Sequence, residues 1–265
     1  MMTCCNRVYR FVLFGILFAA AALHVIHQDP KLFLDGKRQC RLEQVPQEKL
    51  KNLESSICVA ITGASSGIGK ELARILIDIN PKVKLILTGR TKARAEAALE
   101  GKSRGPLLAL DLDLEDDSSV DQFVKVTRST ISSSCYGKLD YLFLNAGMIY
   151  APGYAGSYVS RNGKYDKVFA SNFVGHVRLL KGLLPEIKRA NTRVAWVSSI
   201  NHLSVGLPLD HAQQPLVSSG DALDELKAYA TSKLAMTAMQ QALVKDGSIV
   251  NSVVVRFFTL YPLHS

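Results

Sequence analysis

One stretch constrains the fold of this chain more than any other: Cys58 to Lys70, CVAITGASSGIGK. An apolar run leads into a glycine-rich turn, and the turn leads into an amphipathic segment. Turns of this kind cradle phosphates at a helix N-terminus, where free N–H groups and the positive end of the helix dipole face the anion. A mononucleotide loop would space its glycines as G-x-x-x-x-G, followed by Lys and then Ser or Thr. Here five residues separate Gly63 from Gly69, and Glu71 follows Lys70. A strand–turn–helix built for a dinucleotide pyrophosphate fits better. In it Gly63 turns the chain sharply, Gly67 lets the backbone approach the anion, and Gly69 packs the new helix on the strand. Glycine-rich turns also simply end strands, so this stretch alone does not fix a ligand.

The rest of the chain shows what surrounds the turn. At 265 residues, 48% of them hydrophobic, it is long enough for one large α/β domain with an appendage. Short apolar runs alternate with helical patterns. Strands are expected at Cys58–Thr62, Lys84–Thr88, Leu107–Leu110, Tyr141–Leu144, Arg193–Val197 and Ile249–Val255. Helices are expected at Ile68–Ile79, Ala93–Leu99, Ser118–Thr130, Asp166 to about Lys188, and Leu226–Val244. That alternation predicts a doubly wound parallel sheet with helices on both faces, in a single domain over residues 56–255. Ligands of such sheets bind beyond the carboxyl ends of the strands. The formal net charge of +9 is spread out, with no basic run interleaved with aromatics, which argues against nucleic-acid binding.

Residues 1–27 carry an apolar run, Phe11 to Ile26, behind Arg7 and Arg10. It suits a membrane anchor helix slightly shorter than the usual span, or a signal sequence cleaved after its small residues. The five cysteines, at 4, 5, 40, 58 and 135, have no paired spacing and make a poor disulfide framework, which favours the anchor. Cys58 is expected as a buried thiol in a core strand, and Cys4 and Cys5 as acylation candidates. Residues 28–55 are expected to form a linker.

Three further features carry chemistry. The second strand runs into LILTGRTK with no acidic residue for a ribose hydroxyl; Arg90 and Lys92 can instead hold a 2′-phosphate, which favours NADP over NAD. Tyr229 and Lys233, in AYATSKLA, stand one helical turn apart on one face. A neighbouring ammonium lowers a phenol's pKa, and a Tyr so tuned can protonate a carbonyl oxygen or deprotonate an alcohol. The fifth strand ends in WVSSIN, and LNAG follows the fourth. Each feature is weak by itself; together they lie at the carboxyl ends of one sheet.

At this point the chain resembles the short-chain dehydrogenase/reductase family, from about Ser56 to about Val253. The motifs are TGASSGIG, LDL at 112–114, LNAG, SNFVGH, WVSS and YATSK, in the family's order. The resemblance implies a Rossmann-like fold and an NADP-dependent (NADPH) carbonyl/alcohol oxidoreductase. It makes Tyr229 the acid/base, and Lys233 the residue that binds the nicotinamide ribose and tunes Tyr229. It assigns Ser199 to the substrate oxygen, with Ser198 as the alternative, and Asn172 to a water-mediated proton relay. Cofactor binding falls to Gly63, Ser65, Ser66, Gly67, Ile68, Gly69, Arg90, Asp113 (Asp111 competing), Asn145, Gly147, Tyr229 and Lys233. Within the family the chain is similar to membrane-anchored retinol dehydrogenase-like and 3-keto-steroid reductase-like members. That implies a lipophilic retinoid- or steroid-like substrate and an endoplasmic reticulum membrane; use of a cytosolic cofactor puts the catalytic domain on the cytosol side, and family members often pair as homodimers.

Two departures stand out. Twenty-nine residues separate Ser199 from Tyr229, a long segment expected near the substrate mouth. His202 and His211 lie in it without further metal-ligating partners, so no metal is expected. The last strand is followed by RFFTLYPLHS where the family has a Pro-Gly turn and a covering helix. Residues 256–265 are therefore expected as an atypical tail, with a truncated form retaining only cofactor or partner binding as the alternative to an active enzyme.

Overall fold

The computed structural model describes residues 56–150, 154, 156–205, 222–249 and 251–257. Six strands form one sheet in the order β3-β2-β1-β4-β5-β6, the doubly wound order that the alternation predicted. The described residues divide into two compact units, one ending at Leu110 and the other running from Asp111.

In the first unit, β1 (Cys58–Ile61) pairs in parallel with β2 (Lys84–Gly89), with Cys58 opposite Lys84 and Ile61 opposite Leu87. Every residue of β1 and five of six in β2 are buried, as in strands covered on both faces. α1 (Gly67–Ile79) buries Leu72, Ala73, Leu76 and Ile77, one helical stripe. α2 (Lys92–Glu96) is capped by Thr91, whose hydroxyl accepts from the Arg94 N–H, and runs into a 3-10 turn at Ala97–Leu99. β3 is Leu108–Asp111. Cys58 is disulfide-bonded, not the free thiol expected. Spacing along the chain was the wrong guide, because a disulfide is decided by separation in the fold.

In the second unit, α3 (Asp117–Ser134) opens on Asp116, whose carboxylate accepts from the Ser118 and Ser119 N–H groups. Cys135 ends it and is also disulfide-bonded. β4 (Tyr141–Leu144), β5 (Arg193–Ser199) and β6 (Ser252–Phe257) pair in parallel, from Tyr141 opposite Arg193 to Ser199 opposite Phe257. Trp196 is fully buried and its indole N–H donates to Ser252 Oγ at 3.1 Å, pinning β5 to β6. α4 (Gly175–Ala190) packs on α3 where Gly182 meets Val124; a Cβ there would lie 2.8 Å from both Val124 methyls. The long helix expected from Asp166 is broken into a helical turn at Lys167–Phe169, a π-turn at Ala170–Val174 and then α4. α5 is Ala222–Lys245.

β6 reaches Phe257, two residues past the boundary expected at Val255. Arg256 and Phe257 pair with Ser198 and Ser199, because backbone ladder bonds do not depend on side-chain identity. No described helix is long and apolar enough to cross a membrane. The expected anchor, the linker, His211 and the rest of the 256–265 tail beyond Phe257 lie outside the described residues.

Candidate active site

The glycine turn of the first unit has the geometry its sequence predicted. Gly63 and Gly67 sit at φ +67° and +55°, where a side chain would strain the backbone. The Gly63 N–H donates to Thr88 Oγ1 at 3.1 Å, and the Ala64 N–H to the Thr88 carbonyl at 2.7 Å, so the turn is tied to the end of β2. Thr88 was not singled out from sequence; a hydroxyl in an otherwise apolar strand was the available signal. Ser66 precedes α1 without a side-chain cap, which leaves the first-turn N–H groups to an outside acceptor. Ser66 and Gly67 are exposed, Ser65 and Ile68 half-buried, and Gly69 buried under the helix. At Gly89 a Cβ would stand 3.2 Å from Ser65 Cβ, so the loop after β2 lies against the turn. That loop carries Arg90, exposed and without an ion pair among the described residues; Lys92 is paired with Glu96 at 3.7 Å. Arg90 is thus the better placed of the two cations to receive a phosphate.

In the second unit, Asn145, Gly147, Asn172, Ser198, Ser199, Tyr229 and Lys233 gather at the carboxyl ends of β4 and β5. Lys233 anchors the group. Only 3% exposed, it donates from Nζ to the Val197 carbonyl at 2.9 Å and stands 5.6 Å from the Tyr229 ring centroid. Burial pulls its pKa down to about 8, so it is mostly charged at neutral pH and loses its proton as pH rises through that value. Tyr229 is half-buried, one turn earlier on α5.

Gly147 explains the LNAG turn locally. A Cβ there would come within 3.1 Å of Lys233 Nζ and 3.5 Å of Asn172 Oδ1. The absence of a side chain lets the chain after β4 close on both groups.

Asn172 is fully buried in the π-turn. Its Oδ1 accepts from the Met148 N–H at 2.7 Å, and its Nδ2 donates to the Met148 carbonyl at 2.9 Å and to Ser232 Oγ at 3.0 Å. Its own carbonyl accepts from His176 Nδ1 at 2.8 Å. Gly175 permits the π-turn, since a Cβ there would run into the Leu114 carbonyl.

The two serines divide their work. Ser198 Oγ donates to the Lys233 carbonyl at 2.9 Å and lies 3.1 Å from Thr237 Oγ1, bolting β5 to α5. Ser199 Oγ accepts from the Asn201 N–H at 3.2 Å, which leaves its proton available for a substrate oxygen. Of the pair, Ser198 has its hydroxyl proton engaged and Ser199 does not. The bolt formed by Ser198 and Thr237 was not legible from sequence beyond the hydroxyl side chains themselves.

Asp113, expected among the cofactor-binding residues, is tied to its own turn and to a cation. Its Oδ1 accepts from the Glu115 N–H at 3.0 Å, and its Oδ2 pairs with Arg161 at 2.7 Å. Arg161 had not been singled out. Among the described residues no group of three His, Cys, Asp or Glu side chains could hold a metal.

The chemistry available is proton exchange through a phenol beside a buried ammonium, with a serine hydroxyl to hold the reacting oxygen. A short chain dehydrogenase family model matches residues 57–208. A short-chain dehydrogenase/reductase of Phomopsis amygdali is 36% identical over 153 residues, covering 53% of this chain and 42% of its own. A Drosophila melanogaster dehydrogenase/reductase SDR family protein 7-like is 30% identical, covering 74% of this chain and 54% of its own. A polyprenol dehydrogenase of Danio rerio is 28% identical, covering 87% and 72%. The chain thus spans about half the length of the first two relatives. Two solved structures share the fold. An alcohol dehydrogenase of Thermococcus sibiricus, complexed with 5-hydroxy-NADP, has a TM-score of 0.57 at 22% identity and 77% coverage of each chain. A metagenomic short-chain oxidoreductase in complex with NADP has a TM-score of 0.57 at 19% identity, covering 79% of this chain and 84% of its own. Because the family model spans the glycine turn, LNAG, the Asn172 π-turn and the serine pair, the match settles the family: this chain belongs to the short-chain dehydrogenases, oxidoreductases that use nicotinamide cofactors.

Proposed function

We propose that the chain interconverts a carbonyl and an alcohol on a lipophilic substrate, using NADP. The observation that carries the reading is Lys233, a buried charge held by the Val197 carbonyl beside the Tyr229 ring. Removing an ammonium from water is unfavourable, so a buried Lys233 asks for a role beyond stability. Its placement makes sense where a phenol must release a proton.

The residues fit a nicotinamide nucleotide. The glycine turn offers positive-φ backbone and uncapped N–H groups to the pyrophosphate, and Gly147 leaves open the approach to Lys233. Arg90 supports the choice of NADP, because it is exposed beside the turn and no acidic residue ends β2. When bound, the nicotinamide supplies or accepts a hydride. In reduction Tyr229 gives its proton to the carbonyl oxygen, and in oxidation it takes the alcohol proton. Ser199 donates a hydrogen bond to the same oxygen. Lys233 favours the phenolate by its charge and holds the ribose. Asn172, clamped on Met148, fixes the turn around them.

A lipophilic substrate is supported by the side chains just past Ser199. Ile200 and Leu203 are 39% and 72% exposed, apolar surface beside the serine that holds the reacting oxygen. The polyprenol dehydrogenase relative is named for a long-chain lipid alcohol. We place the chain at a membrane through residues 1–27. The disulfide-bonded states of Cys58 and Cys135 favour an oxidising compartment over the cytosol-facing placement first expected.

The test is NADPH oxidation, or NADP reduction, with isoprenoid, steroid and retinoid carbonyls and alcohols presented in micelles. Tyr229→Phe is expected to lower kcat about 10²- to 10⁴-fold, the usual worth of a positioned acid/base, with NADPH binding retained. A variant as fast as the unchanged protein would remove Tyr229 from the chemistry.

A further inference from the structure

The stretch after β4 carries three tyrosines that the mechanism does not use: Tyr150, Tyr154 and Tyr158. Their rings pack on one another. Centroids lie 4.7 Å apart for Tyr150 and Tyr158, 4.9 Å for Tyr150 and Tyr154, and 5.3 Å for Tyr154 and Tyr158. Edge-to-face and tilted contacts at such separations are favourable for aromatic pairs. Polar bonds fix the cluster in place. The Tyr150 hydroxyl donates to Asp166 Oδ2 at 3.0 Å, with the Tyr158 carbonyl 3.2 Å away, and the Lys167 N–H donates to that carbonyl at 2.8 Å. Asp166 in turn caps the helical turn at Lys167–Phe169, which leads into the π-turn of Asn172. The cluster is thus built into the frame that carries Asn172.

Tyr158 also reaches across to α5. Its hydroxyl donates to Glu225 Oε1 at 2.7 Å, a bond between residues 67 apart in the chain. The Tyr154 carbonyl, at 3.2 Å, is a longer second acceptor. The bond to the Glu225 carboxylate pushes the Tyr158 pKa up to about 12, so Tyr158 keeps its proton throughout the range in which Lys233 titrates. An acidic residue in the first turn of a helix is favourable without any partner, because it faces the positive end of the dipole. Asp224 meets that need and pairs with Lys227 at 3.3 Å. Glu225 is of another kind. It stands one turn before Tyr229 and two before Lys233, along one face of α5. On the far side of Tyr229, Lys233 Nζ holds the Val197 carbonyl, and the Lys233 carbonyl accepts from Ser198 Oγ. The turn that bears the phenol is therefore tied on both sides, to β5 through Lys233 and to the tyrosine cluster through Glu225.

We propose that the Tyr158–Glu225 hydrogen bond positions Tyr229 for proton transfer. Helix ends fray, and Tyr229 lies close to the start of α5. A tie one turn before it holds the phenol at a fixed place against Ser199 and Lys233. Tyr158 and Glu225 act through Tyr229 and are positioning residues. This inference rests on the acid/base role proposed for Tyr229 above.

The experiment follows NADPH-driven reduction of retinal, citral and phenanthrenequinone in detergent micelles by the full chain, with NADPH affinity and the urea midpoint measured for each variant. Tyr158→Phe keeps the ring and removes only the donor. It is expected to lower kcat about 10- to 100-fold, the scale of a small misplacement of a reacting group, with KM and NADPH affinity held within about twofold. Glu225→Leu should do the same. Glu225→Gln should keep most of kcat, because its amide oxygen accepts the same bond. Tyr158→Phe combined with Glu225→Leu should be no slower than either change alone, since each removes the one bond. The assignment is overturned if Tyr158→Phe turns over like the unchanged protein, if Glu225→Gln falls as far as Glu225→Leu, or if the loss appears in KM or NADPH affinity rather than in kcat. If the unchanged chain reduces none of the three carbonyls, or if Tyr229→Phe is as fast as the unchanged chain, the acid/base reading falls and takes this inference with it. A slow Tyr229→Phe beside an indifferent Tyr158→Phe removes the Tyr158–Glu225 assignment alone.

Discussion

Lys233 and His176 show how a single buried side chain sets the properties of this site. His176 is fully buried on α4, with Nδ1 donating to the Asn172 carbonyl. Burial lowers its pKa from 6.5 to about 4; the Asn172 carbonyl opposes that shift and the Lys233 charge adds to it. A neutral imidazole is therefore what the fold holds at physiological pH. The unfolded chain takes up the His176 proton as pH falls below about 6.5, while the folded chain resists until about 4. Stability from this residue is intact above the first value and falls between the two. His176→Gln should flatten that slope. Urea midpoints at pH 7.5 and 5.0 would show it as a smaller acid-induced drop in the variant, and equal drops would refute it. Sequence reading singled out Tyr229 and Lys233 from their one-turn spacing, and Ser199 from the family resemblance. It missed His176 and Thr88, whose roles depend on burial and on partners distant in the chain.

At the scale of elements, the joint between β5 and α5 decides whether the site holds together. Ser198 makes that joint through the Lys233 carbonyl and Thr237, while Ser199 caps the 3-10 turn at Ile200–Ser204. Ser198→Ala should cost about 1 kcal/mol of stability, a typical buried hydrogen bond, seen as a lower urea midpoint. Ser199→Ala should instead lower kcat with a smaller change in midpoint. The reverse pattern would exchange the two roles. The strands were legible because parallel strands are continuous apolar runs bounded by turn residues. Their ends were less so. β5 continues through both serines, and β6 starts at Ser252 rather than Ile249, because ladder bonds carry polar residues along. The π-turn at Ala170–Val174 had no sequence signature beyond Gly175, whose need for close approach to Leu114 appears only in three dimensions.

Over the whole molecule, the alternation of runs was enough to predict the sheet, and its strand order is the one that binds dinucleotides. Chain spacing misled at Cys58, where a disulfide replaces the expected thiol. Arg161 was invisible for a related reason, since its partner Asp113 is far from it in sequence. The central claim of the proposed function is that the chain takes NADP in preference to NAD. The measurement that tests it most directly is a titration of the purified chain with NADPH, followed by nucleotide fluorescence, with NADH as the comparison. The account predicts saturable binding, tighter for NADPH than for NADH. Binding of neither nucleotide, or equal binding of both, would contradict it.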